Sequence, residues 1–185
     1  MEETPAAGDE QDRALVGRYL EGHSAAAGAL VDRYQQRLFN VALRMLGNMQ
    51  DAEDVTQTVF QNAFRKLDTY DPKYRFFSWI YRMTVNESLN ALKRRKPVEP
   101  LEDGLAVPAQ GMDAAADART EAEIRVRTAL AALKPDDRAV VVLKHFASFS
   151  YQEIAQVLEI PVQTVKSRLF TARERLRHTL REPVE

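Results

Sequence analysis

From about Gln11 to Lys96 apolar residues recur at spacings of three and four, the period of helices that bury one face. The stretch "PVEPLEDGLAVPAQGMDAAADA" then breaks the rhythm with three prolines, two glycines, acids and alanines in no sustained order. That composition is a linker's. The helical period resumes at Thr120 and runs almost to the end. No run of alternating β-branched residues appears. "AVVVLKHF" has a strand's composition, but its helical flanks favour a buried helix. The chain therefore reads as all-α: two small helical domains, over residues 11–97 and 119–182, joined by a flexible linker over 98–118.

The second domain carries the sharper local signals. Ser150 and Glu153 stand at capping-box spacing and start a helix over "YQEIAQVL" with Ile154, Ala155 and Leu158 as its apolar members. "EIP" ends that helix, and Pro161 suits the first turn of the next, where its missing N–H is not needed. Val165, Leu169, Ala172 and Leu176 form the predicted buried stripe of the following helix. Lys166, Phe170, Arg173 and Arg177 repeat that spacing one residue on, as an exposed stripe. Two short helices across a tight turn describe a helix-turn-helix. Charge alone favours a basic solvated helix packed on a neighbour. Phe170 tips the balance, because an aromatic among Lys166, Ser167 and Arg173 is poorly placed for solvation and well placed against a thymine methyl.

In the first domain, "DAEDVTQTVFQNAFRKL" buries Ala52, Val55, Val59, Ala63 and Leu67 at helical spacing. Asp51, Asp54, Gln57, Thr58 and Gln61 line the other face. Asp51, Glu53 and Asp54 also suit a helix's first turn as favourable charges worth ~0.3–1 kcal/mol. The uncharged Gln and Thr that continue the stripe fit a protein-binding face better than a solvating one. Further on, "YDPKYRFFSWIYRMTVNESLNALKRRK" has Tyr81, Val85, Leu89 and Leu92 as its buried positions, with Asn86 and Asn90 one turn apart beside Trp79 and Met83. Asparagine is a mediocre interior helix former, so the pair serves either a local amide bond or recognition of base edges, with "KRRK" available for phosphate. Tyr74, Phe76, Phe77 and Trp79 are stacking surface for unpaired bases on one reading and core on the other.

Composition alters this picture little. With 185 residues, 45% hydrophobic and 29% charged, the chain has the balance of a globular protein. No apolar run is long enough for a membrane span, and the acidic start lacks a signal peptide's form. The absence of cysteine removes disulfides and thiolate metal sites, and three scattered histidines make no metal cluster, so no cofactor is expected. A net charge of −1 does not advertise nucleic-acid binding, which leaves local basic patches to carry it. A phosphate loop and a nucleophile elbow are both missing, against an enzyme.

"SYQEIAQVLEIPVQTVKSRLFTARERLR" resembles the −35-reading helix-turn-helix of bacterial RNA polymerase sigma factors of the extracytoplasmic-function (ECF) group. Glu159 and Gln163 depart from it, standing where that family commonly has glycine. The first domain resembles the same family, and the order and spacing of the halves strengthen the match. The resemblance implies a cytoplasmic bacterial initiation factor, not an enzyme, that binds core RNA polymerase and promoter DNA and serves a stress or envelope-response regulon. Carried over, Asp51, Asp54, Gln57 and Gln61 contact the clamp helices of the largest subunit, and the polymerase flap region is a second docking point. Lys73, Tyr74, Arg75, Phe76, Trp79, Asn86, Asn90, Lys93 and Arg94 fall where the family holds the −10 element as a single strand. Thr164, Lys166, Ser167, Phe170, Arg173 and Arg177 fall on the −35 duplex reader. An anti-sigma factor is a further candidate partner, and a stand-alone helix-turn-helix regulator is the alternative reading. Fully extended, the linker spans at most ~70–80 Å, enough to join readers about twenty base pairs apart.

Overall fold

The computed structural model describes residues 5–94 and 121–181, which contain eight α-helices and no strand. In chain order these are α1 (Pro5–Leu20), α2 (Ala25–Leu46), α3 (Met49–Arg65), α4 (Phe76–Arg94), α5 (Glu121–Ala131), α6 (Pro135–His145), α7 (Tyr151–Leu158) and α8 (Val162–Arg181). A short 3-10 turn, Leu67–Thr69, follows α3. The all-α expectation holds. The proposed linker, 98–118, lies outside the described residues.

The first domain is built on α2. Leu30, Tyr34, Leu38, Val41, Ala42 and Met45 form its buried stripe, which meets Ala52, Val55 and Val59 of α3 and Ile80, Tyr81 and Val85 of α4. Gly47 turns the chain between α2 and α3 at φ 73°, a left-handed conformation that glycine takes without a Cβ clash, and its N–H closes on the Leu43 carbonyl at 2.7 Å. Asn48 then caps α3, its side chain accepting from the Asp51 N–H at 2.9 Å. The α4 core differs from expectation. Leu89 and Leu92 are only partly buried, while Thr84 and Ser88 are fully buried, each hydroxyl donating to the carbonyl four residues back.

The helical region begins at Pro5 rather than at Gln11. Its inward face is unusual in carrying acids. Asp12 is 1% exposed, accepts a hydrogen bond from the Tyr34 hydroxyl and pairs with Arg33 Nε at 3.0 Å. Burial pushes the Asp12 carboxyl above its ordinary range, opposed by Tyr34 and Arg33, which favour its charged form. A buried aspartate falls outside any apolar period, so the helix start is hidden in the sequence.

In the second domain Ala139, Val140, Val141, Val142 and Leu143 of α6 are all buried, which settles "AVVVLKHF" as a core helix. The two domains do not stand apart. One continuous hydrophobic cluster runs from α2 and α4 into α6, α7 and α8. Phe149, 1% exposed, stacks on Phe77 with centroids 4.4 Å apart and meets Tyr81 edge-on at 4.9 Å. Arg138 is buried and donates across the boundary to the Met45 carbonyl at the end of α2, and to Ala131 and Leu133 carbonyls in its own domain. A guanidinium there satisfies carbonyls that a helix end leaves open and favours its negative pole.

Candidate nucleic-acid interface

The helix-turn-helix forms as its local chemistry dictates. Ser150 Oγ accepts the Glu153 N–H at 3.2 Å, and Glu153 Oε2 accepts the Ser150 N–H at 2.8 Å, completing the capping box. Glu159 ends α7 at φ 53°, ψ 42°, the left-handed conformation that the sequence comparison with glycine raised. Gln163, by contrast, lies within α8 and places no demand for glycine. Helix α8 starts at Val162, one residue past Pro161, whose carbonyl accepts from the Thr164 and Val165 N–H groups.

The two stripes of α8 separate cleanly. Val165, Leu169 and Ala172 are at most 1% exposed, with Leu176 half-buried below them. Opposite them Lys166, Ser167, Phe170, Arg173 and Arg177 are exposed, Phe170 at 68%, and Thr164 is half-buried beside them. Ser167 Oγ donates to the Thr164 carbonyl at 3.0 Å, and Arg177 pairs with Glu174 at 2.8 Å, so both have partners on their own helix. His145, at the end of α6, has its pKa lowered by burial and by Arg173 and Lys144 nearby. The basic patch around Arg173 thus extends beyond α8.

Helix α4 offers a different surface. Asn86 and Asn90 are exposed on its outer face, as are Lys93 and Arg94, the latter paired with Glu87 at 2.8 Å. Before the helix, Lys73 and Tyr74 are exposed, Tyr74 at 67%. Asp71 Oδ1 accepts the Lys73 N–H at 2.9 Å, and the Tyr70 hydroxyl donates to the Tyr74 carbonyl at 2.6 Å, fixing the loop. Phe76 corrects the stacking expectation. It is 1% exposed and packs against Tyr34, Tyr70 and Trp79, so it holds the loop from below and presents no ring to a base. Trp79 is half-buried. Arg75 is also engaged, between Asp9 of α1 at 2.6 Å and Glu153 of α7.

The outer face of α3 carries Asp54, Gln57 and Gln61 exposed, with Asp51 half-buried at its edge. Two furrows flank it. One, of about 290 Å³, lies toward α4 and is lined by Asp51, Asp54, Thr58, Glu87 and Arg94. The other, of about 470 Å³, lies toward α2 and is lined by Gln35, Gln36, Phe39, Glu53, Gln57 and Phe60.

Residues 30–98 match the sigma-70 region 2 family and residues 123–176 the sigma-70 region 4 family. The chain is 35% identical to RNA polymerase sigma-H factor of Pseudomonas aeruginosa, covering 89% of this chain and 91% of that one. It is 33% identical to the ECF RNA polymerase sigma factor SigW of Bacillus subtilis, over 90% and 95%. The chain belongs to the ECF group of RNA polymerase sigma factors. Among solved structures, CnrH in complex with the cytosolic domain of CnrY superposes with a TM-score of 0.71 at 27% identity, over 92% of this chain and 97% of that one. The sigma factor RpoE of Bartonella quintana, solved with the anti-sigma factor NepR, shares the fold at a TM-score of 0.67 and 22% identity, over 85% and 98%.

Within this sigma factor, α3 and α4 fall in region 2 and α7 and the exposed stripe of α8 in region 4. The polar face on α3 is joined by a part the sequence reading missed, Gln35, Gln36 and Phe39 on α2. The adjacent glutamines beside a phenylalanine were its signal. An uncharged polar pair next to a half-exposed ring fits contact better than solvation.

Proposed function

We propose that this sigma factor docks on the clamp helices of core polymerase through Asp51, Asp54, Gln57 and Gln61, with the α2 furrow beside them. It holds the −10 strand on Lys73, Tyr74, Trp79, Asn86, Asn90, Lys93 and Arg94. It reads the −35 duplex with Thr164, Lys166, Ser167, Phe170, Arg173 and Arg177. The carrying observation is Phe170, an aromatic ring 68% exposed within a basic row on a helix whose other face is sealed in the core. Such a ring costs free energy in water and gains it against a base edge. Region 4 docks as well on the polymerase flap. The protein performs no bond chemistry and acts beside the polymerase in the bacterial cytoplasm, in a stress or envelope-response regulon. The anti-sigma factor in one fold neighbour's structure supports including such a partner.

The test for polymerase docking is a native gel with core enzyme. Asp54→Lys inverts an exposed charge and leaves the α3 core intact, so helicity is expected to be unchanged. Apparent affinity should fall by about tenfold, equivalent to ~1.4 kcal/mol. Unchanged assembly would assign the acids to the helix dipole alone.

A further inference from the structure

His145 ends α6 beside the exposed stripe of α8. Its ring is exposed and has no hydrogen-bond or ion-pair partner among the described residues. Arg173 is equally exposed and equally without such a partner there. The pKa of His145 is lowered, first by burial, then by Arg173, then by Lys144, so the charges acting on the ring are both positive. Among the described residues no carboxylate offsets them. Asp136 and Asp137 stand at the far end of α6, toward Arg168 at 3.8 Å and Arg175 at 3.7 Å. Arg44 of α2 lies over the Phe146 ring at 4.4 Å, and Arg82 of α4 is paired with Glu159 at 2.7 Å. Lys144 is held in place, donating to the Phe149 carbonyl at 3.0 Å with its ammonium over the Tyr151 ring of α7 at 5.1 Å.

Two unpaired groups thus converge from the end of α6 and the middle of α8, one always cationic and one that becomes so on taking a proton. Like charges held together without an acid repel each other, and an anion placed between them removes that cost. Arg173 stands one turn from Phe170 in the row assigned to the −35 duplex. A helix seated in a major groove has backbone phosphates along both rims, within reach of residues that flank the reading helix. We infer that His145 is a further −35 contact, a proton-dependent phosphate ligand that closes with Arg173 on the promoter backbone. This rests on the −35 assignment above, which names no residue outside α8. A phosphate beside the ring favours its cationic form, whereas Arg173 and Lys144 disfavour it in the free protein. Binding therefore takes up a proton. The gain in affinity is absent well above the bound-state pKa and grows as pH falls through it. It is complete below the free-state value, which lies under the ordinary 6.5.

The test is filter binding of promoter duplex by holoenzyme at fixed ionic strength from pH 8 to 6, compared between variants so that titrations of the polymerase cancel. His145 is exposed at a helix end, so its substitutions are expected to fold. Relative to His145→Gln, the natural holoenzyme should bind about equally at pH 8 and about three- to tenfold tighter at pH 6. Its salt slope should be steeper than that variant's at pH 6 by up to about one. His145→Lys carries its charge throughout, so it should bind tighter than His145→Gln at pH 8 as well, with no added pH dependence. In the free protein, ring-proton NMR of the three histidines should show the His145 pKa rising in Arg173→Ala. An unchanged His145 pKa in that variant would overturn the convergence of the two groups. The same pH dependence in the natural and His145→Gln holoenzymes, with Arg173→Ala still weakening binding, would overturn the inference and leave the −35 assignment standing. Binding unaffected by His145→Gln, Arg173→Ala and Phe170→Ala alike would defeat the −35 assignment itself, and this contact with it.

Discussion

Phe149 offers the most quantitative handle on the joined domains. Its ring is 1% exposed and touches Phe77 and Tyr81 of the other domain at 4.4 and 4.9 Å. Truncating a buried phenylalanine to alanine costs ~3–5 kcal/mol through lost burial and the cavity left behind. Part of that belongs to the second domain's own core. Each ring pair adds ~0.5–1.5 kcal/mol beyond burial, so ~1–3 kcal/mol is coupling across the boundary. Phe149→Leu keeps most of the volume and isolates that share. The single tryptophan, Trp79, sits on α4, so its fluorescence follows the first domain while far-UV circular dichroism follows both. In guanidinium the two signals should coincide for the natural chain. In Phe149→Ala the dichroism should begin to fall at lower denaturant than the fluorescence, as the second domain melts on its own. Phe149→Leu should show a smaller separation. Coincident transitions at an unchanged midpoint in the alanine variant would refute the interdomain role of this ring.

Two other outcomes follow from the electrostatics. Burial alone raises the Glu153 pKa, but hydrogen bonds with Ser150 and the charge of Arg75 outweigh it and hold the carboxyl below its ordinary value. A depressed folded-state pKa contributes stability above the unfolded value, near 4.5, that is lost as pH falls through the folded value. Denaturant midpoints should therefore fall between about pH 5 and 3, and fall less in Glu153→Gln. For Arg173→Ala, holoenzyme binding to promoter duplex should weaken and the salt slope should drop by about one, measured by filter binding across salt concentrations, if the guanidinium neutralises one phosphate.

The parts of the molecule legible in the sequence are those whose signals are local. The capping box at Ser150 and Glu153, the turn before Pro161 and the two stripes of α8 all fall within some thirty consecutive residues, and each forms as its spacing predicts. Contacts between distant residues left no such trace. Arg75 and Glu153 are 78 positions apart and Arg138 and Met45 are 93 apart. The charged members of those pairs have the composition of solvated surface. Helix α1 starts ahead of the apolar period because its inward residue, Asp12, is charged. For Phe76 the sequence leaves stacking surface and core as alternatives, because in a row of aromatics only tertiary packing decides which ring turns inward. At Glu159 the departure from glycine was visible in the sequence, but its partner Arg82 was not.

The assignment of two separate promoter readers is tested most directly by abortive transcription with the holoenzyme on templates altered separately in the −10 and −35 elements. Asn86→Ala and Phe170→Ala each remove an exposed side chain from a helix whose core is elsewhere, so both variants are expected to fold. Asn86→Ala should lose discrimination at the −10 element by ~1–3 kcal/mol per amide–base contact, with only partial rescue on a pre-melted bubble. Phe170→Ala should alter preference at the −35 element and leave the −10 profile as it was. If both substitutions shift preference at the same element, the two-reader account is wrong.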